Sequence, residues 1–149
     1  YQGIAFLGKH KNQTERKFLF TSSDRFDENS DRIRAVRNEK YKYIRNYFPE
    51  NSHALDVDYR KQMLLMRHLT TLHLTGKLSV EQNNWFRTPK LMEELYDLEN
   101  DPFELKNLSE KPEYDSIKAA LSKELDTWIE NIDDLGRIPE LELYKLIGK

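Results

Sequence analysis

A chain of 149 residues is long enough to bury one real core and too short for two ordinary domains, so a single domain over residues 1–149 is expected. Hydrophobic residues make up 38% and charged residues 34% at a formal net charge of −2, which describes a soluble globular surface and excludes a global drive toward polyanions or bilayers. The lack of cysteine excludes a disulfide framework, a thiolate metal site and a cysteine nucleophile.

The sequence starts at Tyr1 without a signal-peptide core, and no apolar run is long enough to span a bilayer, so a fragment of a longer protein is expected. Residues 1–7 form a short apolar segment bracketed by Gly3 and Gly8, which reads as a short strand. The aperiodic polar run over residues 9–16 reads as a loop. Residues 17–22 (KFLFTS) are compact and aromatic and predict a strand. In residues 22–31 (SSDRFDENSD) four acids and one arginine surround Phe26, and this reads as a loop with room for one helical turn. Two readings stay open there. One is capping and turn chemistry by Asp, Ser and Asn; the other is a polar site mounted at a strand end.

Residues 31–48 (DRIRAVRNEKYKYIRNYF) are the centre of the chain. β-Branched and aromatic residues crowd both halves, and Asn38-Glu39 is the one plausible turn, so two strands in a hairpin are predicted. Six basic residues, Arg32, Arg34, Arg37, Lys40, Lys42 and Arg45, share those strands. Without an Asn-Gly turn the register stays open, and a one-residue slip would exchange the faces.

Pro49 ends the hairpin. Leu55, Tyr59, Met63, Met66, Leu69 and Leu72 or His73 recur at helical spacing, with Asp56 as candidate cap and Gly76 beyond the end, so one mid-chain helix is predicted. His68 and His73 are five apart, which is not a metal pair on one helix face, and both read as packing or surface residues. Ser79 and Gln82 match a capping box opening a short helix toward Trp85. Pro89 breaks that helix. Residues 93–98 (EELYDL) predict the fourth strand, and residues 99–102 (ENDP) a turn. Pro112 then opens a long helix with the stripe Tyr114, Ile117, Leu121, Leu125, Trp128 and Ile132, which Gly136 is expected to close. Leu125 and Trp128 are expected to be largely buried. The last residues, 137–149, read equally as a docked strand or a short helix. The fold class that follows is α+β: a four-stranded antiparallel sheet against a long C-terminal helix, with an additional mid-chain helix.

Nothing here performs bond chemistry by motif. There is no Gly-rich phosphate loop, GxSxG, HExxH or EF-hand loop, and the four histidines lack metal-ligand spacing. A rival class is a non-catalytic module whose basic and aromatic sheet binds single-stranded nucleic acid. Net negative charge and the lack of an RNP-like motif stand against it.

Three segments in order, DRFDENSDRIRAVRNEKYKYIRNYFPE (24–50), EELYDLENDPFELKNLSEKPEY (93–114) and LSKELDTWI (121–129), resemble the carboxy-terminal part of sulfatases. ELYDLENDPFELKNL is the most specific of them. The resemblance implies an alkaline-phosphatase-like enzyme. Its amino-terminal domain carries formylglycine and calcium, and its smaller subdomain has a four-stranded antiparallel sheet against a helix. This chain has no C/S-x-P-x-R motif from which formylglycine is made, so neither catalytic residues nor cofactors are expected in it. By resemblance Asp24, Arg25, Asp27 and Glu28 are substrate-side candidates. The implied partners are the catalytic domain of the same polypeptide and a sulfated carbohydrate, with a homodimer of the fragment also open and neither nucleic acid nor membrane expected. A periplasmic, secreted or lysosomal setting is implied.

Overall fold

The computed structural model describes residues 5–146 and Gly148. Four strands, β1 (Leu19–Phe26), β2 (Asn29–Arg37), β3 (Tyr41–Asn46) and β4 (Glu93–Asp97), form one sheet in the order β1-β2-β3-β4, each pair antiparallel. The helices are α1 (Asp58–Gln62), α2 (Leu64–Leu74), α3 (Val80–Asn83), α4 (Asp115–Asn131) and α5 (Glu140–Leu146). This is the α+β architecture expected. The strand read over residues 1–7 lies partly outside the described residues, and Ala5, Phe6 and Leu7 are not in a strand.

The turn at Asn38 closes the central hairpin as expected: its carboxamide oxygen accepts the backbone N–H groups of Lys40 at 2.9 Å and Tyr41 at 2.7 Å. Register then sorts the side chains. Phe20, Val36, Tyr43 and Leu95 lie side by side across the four strands. Leu121 and Leu125 of α4 cover that row, with Leu108 completing the buried cluster. Burying each such aliphatic side chain contributes about 1.5–3 kcal/mol. Trp128 departs from expectation. It is half-buried: its ring stacks on Phe20 of the edge strand β1, 5.0 Å between centroids, at the margin of the sheet.

Ala35, Ile44, Glu94 and Tyr96 point to the opposite face, which is more polar. There Asn46 donates to the Leu91 carbonyl at 2.7 Å and to the Glu94 carboxylate at 2.6 Å. Burial alone would raise the Glu94 carboxyl, but hydrogen bonds from His53, Tyr96 and Asn46 outweigh it and hold it below the usual value. Lys90 and Asp31, both buried, form an ion pair beside it.

Three expectations are corrected. The acid-rich segment over residues 22–31 is not a loop: β1 runs through it to Phe26, Asp27 and Glu28 make a tight turn with Asp27 at φ +55°, and β2 starts at Asn29. An edge strand tolerates polar residues on both faces, so no hydrophobic alternation announces it. The mid-chain helix is two helices, because Met63 is extended (φ −75°, ψ 126°) between α1 and α2. Neither piece contains a buried residue, so no core contact holds a single helix together. Finally, Gly136 does not close α4. The helix ends at Asn131, Asp133 takes the left-handed conformation (φ +47°), and Gly136 lies in a further 3-10 turn, Leu135–Arg137.

The Ser79–Gln82 capping box is present as read, and the tail resolves as the short helix α5.

Candidate functional site

The four residues singled out in the sequence come together at one end of the sheet, around the β1–β2 turn. Their hydrogen bonds differ. Asp24 sits at the β1 bulge, where the register shifts between Ser23 and Arg25, and its carboxylate reaches the Arg34 guanidinium at 2.7 Å with half its side chain exposed. Arg25 is exposed. Its Nε donates to the Asp27 carbonyl at 2.6 Å and its Nη1 pairs with Glu140 at the start of α5. Asp27 occupies the turn itself, and the Glu28 carboxylate accepts the backbone N–H of Asp58 at 2.7 Å. The tip is therefore polar, solvent-facing and anchored at both sides.

Beneath the tip lies a cluster that sequence reasoning missed. Arg34, 1% exposed, donates through Nε at 3.1 Å and Nη2 at 2.7 Å to the two oxygens of Asp134, a bidentate pair. Arg32 adds a hydrogen bond to Asp134 at 2.9 Å while its guanidinium lies 3.9 Å over the Tyr47 ring. Burial alone would raise the Asp134 carboxyl, but the hydrogen bonds from Arg34 and Arg32 and from the Gly136 N–H dominate and bring it down to about 2. Gly136 is part of the same arrangement. A Cβ on it would collide with Arg34 Nη2 and Asp24 Oδ1, so the missing side chain leaves room for the cluster. Gly136→Ala should cost about 1–3 kcal/mol by overpacking, read as a lowered thermal midpoint; an unchanged midpoint would show that the cluster relaxes freely. The only local sequence signal was the Asp-x-Gly spacing at 134–136, whose partner lies 100 residues away.

The basic hairpin does not offer a row of free cations. Arg32 and Arg34 are bound to Asp134, Arg45 to Asp126 and Ser122, Lys42 to Glu104 and Lys40 to Glu99. Single-strand nucleic-acid binding needs such cations for phosphate, and the arrangement gives it no support. Among the described residues no group of three or more His, Asp or Glu side chains is placed to hold a metal ion, and no C/S-x-P-x-R sequence occurs. No step of ester cleavage is assigned to the described residues. No helix among the described residues is long and apolar enough to cross a membrane.

No family model matches the chain. It is 50% identical over 142 residues to an ulvan-active sulfatase of Formosa agariphila, covering 95% of this chain and 24% of that protein. It is 35% identical over 106 residues to a second ulvan-active sulfatase of the same organism, covering 68% and 18% respectively. The chain thus spans about a quarter or less of the length of these curated relatives. Among solved structures, a putative sulfatase from Bacteroides thetaiotaomicron VPI-5482 matches with a TM-score of 0.51 and a 2-O GAG sulfatase with 0.52. Each covers 88% of this chain and is matched over 20% of its own, at 22% and 21% identity, which speaks for a shared fold.

Proposed function

Because this chain belongs to the sulfatase family, we propose that it is the carboxy-terminal subdomain of a sulfuric ester hydrolase acting on a sulfated carbohydrate. In that role it completes the substrate cleft and braces a catalytic domain on the same polypeptide. The observation that carries the reading is identity of 50% sustained over 95% of the chain to an ulvan-active sulfatase, joined to a four-stranded sheet capped by α4. A sulfated polysaccharide of the ulvan kind is the substrate class this supports, in a setting outside the cytoplasm. Formylglycine and calcium belong to the catalytic domain in this reading, and the 149-residue chain has no turnover of its own.

Asp24, Arg25, Asp27 and Glu28 form the substrate-side tip. Arg25 is its recognition group: a guanidinium matches a sulfate or a uronate carboxylate with two parallel hydrogen bonds, and an incoming anion takes the place of Glu140. Asp24 and Glu28 hold the tip through Arg34 and the start of α1.

The test is sulfate release by the full-length polypeptide. Arg25→Ala should lower kcat/KM on the sulfated polymer by about tenfold, the worth of one charge-assisted hydrogen bond. Turnover of a small aryl sulfate, which does not reach the tip, should be nearly unchanged. Equal losses on both substrates would make Arg25 a structural residue. No sulfate release by the wild-type polypeptide would overturn the function.

A further inference from the structure

We propose that the groove between α1, α2 and the segment over residues 52–57 is a second binding site for sulfated saccharide, taking units of the polymer beyond the one at the hairpin tip. The ligand class rests on the proposed function; the site rests on its own geometry. The groove encloses about 530 Å³, within the roughly 300–1,000 Å³ of small-molecule sites. Two guanidinium groups line it. That of Arg67 has no ion-pair or hydrogen-bond partner among the described residues. Arg60 lies 4.3 Å over the Phe26 ring and 5.5 Å over Trp85 and donates through Nη1 alone, to the Ala54 carbonyl at 2.9 Å and toward that of His53 at 3.4 Å. Its other N–H groups meet no acceptor among the described residues.

The contrast with the central hairpin is what gives these cations meaning, since there nearly every basic group is bound to a carboxylate. In the groove the one acid on the wall, Asp56, is already paired with Lys61 at 2.9 Å, and Asp58, the first residue of α1, is paired with the same lysine. Neither acid bonds to Arg60 or Arg67, and the three cations Arg60, Lys61 and Arg67 outnumber these two carboxylates. Thr70 adds a hydroxyl, while Leu55, Met66 and Phe86 supply apolar wall. Guanidinium forks for sulfate, a hydroxyl for sugar oxygens and apolar surface for the C–H face of a pyranose are the groups a sulfated sugar requires.

The groove also adjoins the substrate-side tip. Phe26 beneath Arg60 is the last residue of β1; Asn29 donates to the Asp56 carbonyl at 2.6 Å, and Glu28 accepts from the Asp58 N–H at 2.7 Å. A polymer bound at the tip therefore passes onto the groove across one continuous surface.

The experiment titrates the 149-residue chain by calorimetry with a dextran sulfate oligosaccharide, with unsulfated dextran of the same length and with inorganic sulfate. The sulfated oligosaccharide should bind, more weakly as salt rises, and the other two should bind at least about tenfold more weakly, the loss expected when either half of the recognition is removed. Arg67→Glu should weaken the sulfated probe by about tenfold or more, and Lys123→Glu on the exposed side of α4 should leave it unchanged. Arg67 is exposed, so the variant should melt like wild type, which circular dichroism checks. Unchanged affinity in Arg67→Glu, or equal binding of unsulfated dextran, overturns the groove. A full-length polypeptide that releases sulfate while Arg67→Glu binds normally overturns the groove alone. Binding that depends on Arg67, without sulfate release by the full-length polypeptide, keeps the groove and removes the proposed reaction.

Discussion

Leu125→Ala should destabilise the chain by about 3 kcal/mol or more, enough to unfold much of the population of a marginal domain. Leu125 is fully buried and lies in the cluster formed by Val36, Tyr43, Leu95, Leu108 and Leu121. Its side chain is the point at which α4 meets the middle of the sheet. Truncation removes the transfer energy of the lost carbons and leaves a void that the β-sheet side, held by its ladder, closes only in part. Urea unfolding should report a lower midpoint with an unchanged slope. Thr127→Ala, on the exposed side of the same helix, is the control and should be nearly silent. If Leu125→Ala unfolds at the wild-type midpoint, α4 is not docked as described.

Asp134→Ala should cost about 3–5 kcal/mol, the penalty for leaving a buried guanidinium without its carboxylate. Asp24 is the other acid on Arg34 and is half-exposed, so water screens what it contributes. The same carboxylate links stability to pH. Its folded value, about 2, is below the ordinary 3.8, so its contribution is fully present above the ordinary value and is lost as pH falls toward 2. Wild-type stability should therefore drop across that interval, and Asp134→Ala, already lower at neutral pH, should show a shallower drop. Urea midpoints measured from pH 5 to about pH 2 would check this. An acid limb equally steep in both proteins would mean that other carboxylates carry the effect.

The central hairpin, β4 and α4 were legible because each carries its own local signal. Val36, Tyr43 and Leu95 belong to β-branched and aromatic runs, and the stripe from Tyr114 to Trp128 has helical period. The register could not be read, because both faces of the sheet are populated: Val36 and Tyr43 pack under α4, while Ile33 and Ile44 point to the other side. Residues 22–31 were misread because Asp24, Arg25 and Asn29 are strand residues by hydrogen bonding rather than by hydropathy. The four site candidates rest on resemblance alone, and the fold places them at the β1–β2 end of the sheet. Asp134, Gly136 and Glu140, which hold that end, were invisible because each acts on a residue more than a hundred positions away or close to it. Arg60 and Arg67 carry no motif in the sequence, and the concavity that both line exists only in the fold.

The pair Arg34–Asp134 joins positions 100 apart in a chain of 149 residues, and this has a kinetic consequence. The two hairpins of the sheet close short loops and can form early, whereas the long loop ending at Asp134 carries a larger closure entropy, growing with the logarithm of its length. Until residues 134–140 arrive, Arg34 is seated in a sheet with only one exposed acid to answer its charge. The end of the sheet that carries the β1–β2 tip is thus completed last, and an emerging chain acquires a finished tip only after α4 has docked.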